Sequence, residues 1–329
     1  MKPSNIGGQA VMEGIMMRHK DRYSVGVRRP DGGIELKEEE YKSVLGKSSI
    51  LKKPVIRGVV RFVDSLVLGM KCLMYSAEIA GDEEEEEQVD LSTLTEEERE
   101  KRKKKEDKMF QLMLYGTVAI SIVFSVALFM LAPYVIASFL KKVGASELIV
   151  TVAESFVKLA LFMGYMLLIS RMKDIQRTFM YHGAEHKCIN CVESGLPLTV
   201  ENVMKSSRFH RRCGTSFLFL VMLVSIVMHF VFIFVPVYWM RLFGRLLMVP
   251  VVAGVSFEII QWAGRTDNSC SRFMSKPGMM MQHLTTKEPT EDMAEVAIAA
   301  VEAVFDWKAY LKEEFGVECD AAPEGETKI

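Results

Sequence analysis

Histidine and cysteine crowd one stretch of the chain. It reads Tyr181-His-Gly-Ala-Glu-His-Lys-Cys-Ile-Asn-Cys191 and then Arg208-Phe-His-Arg-Arg-Cys-Gly214. His182 and His186 are four apart, so on a helix their rings project about 40° apart on one face. That spacing suits two ligands of one divalent ion. Glu185 shares the side and could act as general base for a water at the ion, or orient a histidine from behind. His-x-x-Glu-His is the inverted zincin pattern. Cys188-x-x-Cys191 and His210-x-x-Cys213 add thiol and imidazole donors. The chemistry this points to is metal-dependent hydrolysis, with zinc the expected ion and Glu185 the catalytic residue. His182 and His186 would be ligands, with a third from His210, Cys213 or Glu258. Two plainer readings stay open: a closed site that only pins the segment, or histidines that hydrogen-bond with no metal at all.

The elements that must position these residues are set by where apolar side chains lie. The 329 residues are 50% hydrophobic and 25% charged, with a net charge of −1, a mean hydropathy of +0.16 and 23 Met. A near-neutral chain with pI 6.6 is no general nucleic-acid binder. No charged side chain occurs from Leu112 to Leu140, enough for a helix to cross a bilayer core, which takes about 20 residues. Spans are expected at 112–140, 148–170, 217–240 and 242–262, with a turn around Pro236 and Gly244. Four such runs, none near enough to the start to be a signal peptide, predict a polytopic membrane protein.

Lys and Arg cluster before the first span (Lys101–Lys105, Lys108), between spans two and three, and after span four (Arg265, Arg272, Lys276). The positive-inside rule then places both termini and the 171–216 loop in the cytosol, at the cell membrane. All six cysteines fall in these segments, where a reducing compartment disfavours disulfides.

The remaining segments have distinct characters. Residues 1–50 are Gly-rich, then alternate around Pro30-Asp-Gly-Gly33, predicting a β-hairpin. Within 51–80, apolar Ile56, Val59, Val60, Val63, Val67, Met70 and Met74 oppose Arg57, Arg61, Asp64 and Lys71. This is an amphipathic helix that lies on the membrane or packs beside the spans. Residues 81–110 form a charged linker, acidic then basic. Within the C-terminal segment 264–329, Thr290–Phe315 reads as one amphipathic helix. The linker or this helix could dock a protein partner.

Three ionisable sites fall inside the spans. Glu258 could reach the loop as an oxygen ligand, or pair with Arg265 or Arg171. His229 lies near the middle of span three, and Glu154 and Lys158 would neutralise each other.

Five separated motifs resemble the YqhQ family of bacterial membrane proteins: Gly7-Gly-Gln-Ala-Val-Met-Glu-Gly-Ile-Met-Met-Arg18, Arg57-Gly-Val-Val-Arg61, His182-Gly-Ala-Glu-His-Lys187, Phe209-His-Arg-Arg-Cys-Gly-Thr-Ser-Phe217 and Leu284-Thr-Thr-Lys-Glu-Pro289. The resemblance covers nearly the whole chain and implies a multi-pass protein of unknown function, described as a predicted metal-dependent enzyme. Arg211 stands where the family pattern has proline, which leaves the ligand roles of His210 and Cys213 open. The resemblance also draws attention to Gln9 and Glu13. Glu13 could approach the loop as an oxygen ligand, or cap turn amides.

The expectation is therefore a mainly α, four-span membrane core (111–263) with a small N-terminal β segment, the His/Cys loop folded at its cytosolic mouth and a terminal amphipathic helix. Its leading function is a metal-dependent hydrolase acting on a lipid or a membrane-presented peptide, with no nucleic-acid partner. The alternatives are an assembly scaffold with a structural metal, and a transporter using His229 and Glu258.

Overall fold

A computed structural model describes residues 2–43, 46, 51, 53–81, 96–235, 237–265 and 268–318. The acidic half of the expected linker, Pro236 and Cys319 lie outside the described residues. The chain is mainly helical, some 70%, with one N-terminal antiparallel sheet. Its strands are β1 (Ile6–Val11), β2 (Gly14–His19), β3 (Arg22–Arg28) and β4 (Ile34–Glu40), paired in sequence order. The helices are α1 (Ile56–Ala80), α2 (Glu96–Val126), α3 (Ala132–Lys142), α4 (Glu147–Ile169), α5 (Lys173–Glu193), α6 (Val200–Lys205), α7 (Gly214–His229), α8 (Tyr238–Arg265), α9 (Ser269–Thr285), α10 (Glu291–Val304) and α11 (Trp307–Phe315).

Among the described residues, four stretches are long and apolar enough to cross a membrane: Tyr115–Lys142, Glu147–Ile169, Gly214–Phe234 and Trp239–Ala263. The protein is thus a multi-pass membrane protein. Four crossings have a consequence of parity. If all four cross and α1 does not, residues before Tyr115, those between Ile169 and Gly214, and those after Ala263 share one side.

The described chain forms two compact units. The first comprises Met1–Gly81, Leu168–Met228 and Trp239–Ile329. Its centre is the sheet, whose period of two sorts side chains onto opposite faces. Ile15 and Met17 enter the core shared with α5 and α10, while Val11, Met16, Tyr23, Val25 and Val27 enter the one shared with Leu68 and Cys72 of α1. On β3 the α10-facing positions are the small Ser24 and Gly26. This lets α10 approach closely enough for the Ser24 hydroxyl to donate to the Ala300 carbonyl at 2.6 Å.

Several expectations change in this unit. The Pro30 turn does join a hairpin, Arg28 facing Ile34, but two further strands precede it. The single helix 290–315 is two, because Asp306 caps a fresh start by accepting from the Ala309 amide at 2.9 Å. The 171–216 loop is largely helical, as α5 and α6. The α1 helix extends to Ala80 and buries Val60, Leu68 and Cys72, whereas Val67 and Met70 of the expected stripe are exposed. Its buried Asp64 accepts from the hydroxyls of Tyr41 (2.8 Å) and Ser43 (2.7 Å).

The second unit comprises Asp82–Leu167 and His229–Tyr238. Its first span passes through a π-helical turn, Ala127–Leu131, ahead of Pro133. Phe129 meets the rings of Phe162 and Tyr165. Lys158 Nζ lies 3.3 Å from His229 Nδ1, so the mid-span histidine has a polar partner.

Candidate metal centre

The α5 helix carries His182, Glu185 and His186 as the spacing predicts, with the two imidazole centroids 4.4 Å apart. Its partners are set by Gly183. A Cβ there would stand 1.9 Å from the Lys287 carbonyl oxygen, so only glycine lets the chain leaving α9 cross so close. That crossing delivers the Thr285 carbonyl to His182 Nδ1 at 2.8 Å and lets the Lys287 amide donate to the Phe179 carbonyl at 2.9 Å. A second crossing is fixed by two buried polar side chains of α5. Lys187 donates to the carbonyls of Met204 and Ser206, and Asn190 to those of Ser207 and Phe209. Between them the Arg208 carbonyl meets His186 Nδ1 at 2.7 Å.

Carbonyls only accept, so both histidines carry their proton on Nδ1 and present a bare Nε2 lone pair. His182 Nε2 lies 3.1 Å from Cys213 Sγ, and the buried Nε2 of His186 makes no hydrogen bond. One ligand atom from each of His182, His186 and Cys213 can be chosen so that all lie within 4.8 Å of one another. With Zn–N near 2.0 Å and Zn–S near 2.3 Å, tetrahedral ligand atoms stand about 3.5 Å apart, so the cluster has the right scale. Burial holds the His186 pKa below the usual imidazole value, keeping it neutral, as a ligand must be. The Thr215 amide (3.4 Å) and hydroxyl (3.1 Å) both face Cys213 Sγ and can steady a thiolate. Imidazoles oriented by carbonyls and an orphaned buried nitrogen fit a metal ion.

The family profile "Protein of unknown function (DUF1385)" matches residues 53–307. The uncharacterized protein YqhQ of Bacillus subtilis (strain 168) is 36% identical over 303 residues, 90% of this chain and 91% of that protein. The chain belongs to the YqhQ family. No solved structure matches it.

The other residues singled out from the sequence of this YqhQ-family chain are held elsewhere. His210 turns Nε2 towards Glu193 at 3.6 Å. Burial raises the Glu193 pKa, but His210, Arg212 and the Ser4 amide outweigh it and bring it down to about 2. Glu258 is bound by Arg57, at 3.2 Å from Nε and 2.5 Å from the terminal nitrogen; the side chain of Arg265 lies outside the described residues. Glu13 is paired with Arg177 and accepts from Tyr181 at 3.3 Å. Cys188 and Cys191 point into the hydrophobic core. Burial pushes the Cys188 thiol well above its normal range and that of Cys191 up to about 11. Glu185 is buried beside Gly8 of β1, its Oε2 has no hydrogen-bond partner, and burial raises its pKa to about 7. Gln9 lies over Gly69 of α1.

Gln282 carries no signal in the sequence, yet it organises the site. Fully buried on α9, it accepts from the His210 amide (2.9 Å) and donates to the His210 carbonyl (2.6 Å) and to Ser216 (3.0 Å). It thereby fixes both flanks of Cys213. The carbonyls of Arg208 and Thr285 were equally unreadable, since every residue has a carbonyl. Only the quoted motifs, which contain Gly183, Lys187 and Thr285, marked their neighbourhood.

Proposed function

We propose that this protein is a metal-dependent hydrolase working at the cytosolic face of the cell membrane. The observation that carries the proposal is the trio His182, His186 and Cys213, with both imidazoles locked in the ligating tautomer. Three protein ligands leave a tetrahedral ion one open position, the pattern of catalytic rather than structural zinc. A zinc ion held there would supply Lewis acidity and a water of lowered pKa. His182 and His186, oriented at Nδ1 by the Thr285 and Arg208 carbonyls, would hold it through Nε2, and Cys213 as thiolate. Glu185, whose buried Oε2 has no hydrogen-bond partner, would be the general base. The cytosolic assignment rests on the Lys and Arg bias of the connections; parity supplies the shared side.

Metal analysis of detergent-purified protein tests the ligand set. The expected result is one zinc per chain, lost in His182→Ala, His186→Ala and Cys213→Ala and kept in Glu185→Gln. Cobalt replacement tests the open position. Added thiocyanate should alter the visible cobalt spectrum, whereas a closed, structural site would leave it unchanged. Wild-type protein without stoichiometric metal overturns the proposal.

A further inference from the structure

Cys213 has a second neighbourhood. It lies on the wall of a cleft of about 450 Å³, within the range of small-molecule sites, together with Arg61, Phe62, Arg212, Phe217 and Phe257. These come from α1, the start of α7 and the last turns of α8. The walls close up because α1 and α8 cross through glycines. A Cβ on Gly58 would meet the Gly254 carbonyl at 2.8 Å, and one on Gly254 the Val55 carbonyl at 2.4 Å. The crossing places Arg57 on Glu258 and sets Arg61, one turn on, over the cleft.

The two cations differ. Arg212 is shared with Glu193, whereas exposed Arg61 makes no hydrogen bond or ion pair among the described residues. Phe62, Phe217 and Phe257 line the rest of the wall, beside polar Asn5, Ser65 and Gln261. The cleft also lies at the ends of two membrane-competent helices, Gly214–Phe234 and Trp239–Ala263, so it opens at the depth where lipid headgroups meet acyl chains. Next to it, α1 exposes Leu66, Val67, Met70 and Leu73, an apolar surface suited to the bilayer boundary. A peptide would find little here. Three of the walls are helices, which offer an incoming strand no ladder of free backbone groups.

We propose that the cleft binds an anionic lipid, its phosphate or carboxylate on Arg61 and Arg212 and its hydrocarbon against Phe62, Phe217 and Phe257. This names the substrate class of the Cys213 site, and in that respect it rests on the hydrolase reading. The binding itself does not depend on the metal.

Native mass spectrometry of the full chain in neutral detergent tests this with dioleoyl phosphatidic acid, dioleoyl phosphatidylcholine and inorganic phosphate as probes. The expected result is one saturable phosphatidic acid, bound at least tenfold more tightly than phosphatidylcholine. Arg61→Gln should weaken it about tenfold, since a charge-assisted hydrogen bond is lost, while zinc content stays at the wild-type level. Arg61→Lys should recover part of the affinity. Equal binding of the two lipids, or no effect of Arg61→Gln, overturns the inference. Competition by inorganic phosphate at concentrations matching the lipid also overturns it, in favour of a small-anion site. The double variant His182→Ala/His186→Ala separates the two proposals. If it still binds phosphatidic acid selectively, the cleft assignment stands whatever the metal result.

Discussion

Replacing Gly183 by alanine tests how the proposed metal centre is built. In an exposed helix the change would stabilise by about 1 kcal/mol, because glycine is a poor helix former. Here the new Cβ would stand 1.9 Å from the Lys287 carbonyl oxygen, where real contacts do not fall below 3.0 Å. The obstacle is backbone, and it must withdraw by about 1 Å, a displacement small in distance but large against packing tolerances. It is also tethered. The Lys287 amide donates to Phe179, Arg208 donates to the Thr286 carbonyl, and Lys187 pairs with Glu288 at 3.0 Å. Overpacking of this kind costs about 1–3 kcal/mol or more. A retreat of about 1 Å would also carry the 2.8 Å bond between His182 Nδ1 and Thr285 beyond hydrogen-bonding range, a further loss of about 1 kcal/mol. The net expectation is destabilisation by about 1–3 kcal/mol, and zinc held about 10- to 100-fold more weakly, as when an outer-shell partner is lost. Thermal unfolding in detergent and competition with a zinc chelator measure the two effects. Gly7→Ala, where nothing lies within 4 Å of the new Cβ, is the control. If Gly183→Ala matches or exceeds wild-type stability and retains zinc equally well, the crossing at Gly183 does not position His182.

The Glu193 carboxylate is ionised at lower pH when folded than when unfolded. Its contribution is therefore complete above the unfolded pKa, near 4.3, and is lost as pH falls towards about 2. Glu193→Gln should lower stability by about 1–3 kcal/mol at pH 7, with the gap to wild type closing as the pH drops through that window in thermal scans. Glu258→Gln should leave zinc content unchanged, and a double-mutant cycle with Arg57→Gln should give a coupling of about 0.5–1 kcal/mol for this partly exposed pair; loss of zinc would restore Glu258 as a ligand. Cys188→Ala and Cys191→Ala should likewise retain full zinc by elemental analysis. A reporter fused after Val143 should behave as external; a cytosolic signal would reverse the assignment of sides.

The spans were legible because a bilayer imposes a length and a composition that survive any local detail. The pairing of His182 with His186 was legible for a similar reason, since helical periodicity alone puts the two rings together. The choice between His210 and Cys213 was not. His210 and Cys213 stood on equal terms as donors, and what separates them is Glu193, which takes the histidine and leaves the thiol. The pairing of Glu258 with Arg57 was not legible because the two are 201 residues apart in sequence and meet where two glycines let α1 and α8 cross. The first two strands escaped notice because the turn between them uses Glu13, a non-glycine residue at φ 49°, so the usual Asn-Gly or Asp-Gly signature of a two-residue hairpin is missing. The split of the terminal helix at Asp306 could have been anticipated, as aspartate is among the best caps.

The sheet and the histidine pair are completed by residues that lie beyond the last membrane crossing. Ser24 of β3 waits for Ala300 of α10, and His182 waits for Thr285. During synthesis the N-terminal strands therefore exist with one apolar face uncovered until the fourth span has been threaded. A chain that skips or adds one crossing delivers Thr285 and α10 to the opposite side of the bilayer, where they can never close that face. Completion of the centre thus doubles as a proofreading step for membrane topology. A misthreaded molecule would keep that apolar face bare, the kind of surface by which incompletely folded chains are recognised and removed.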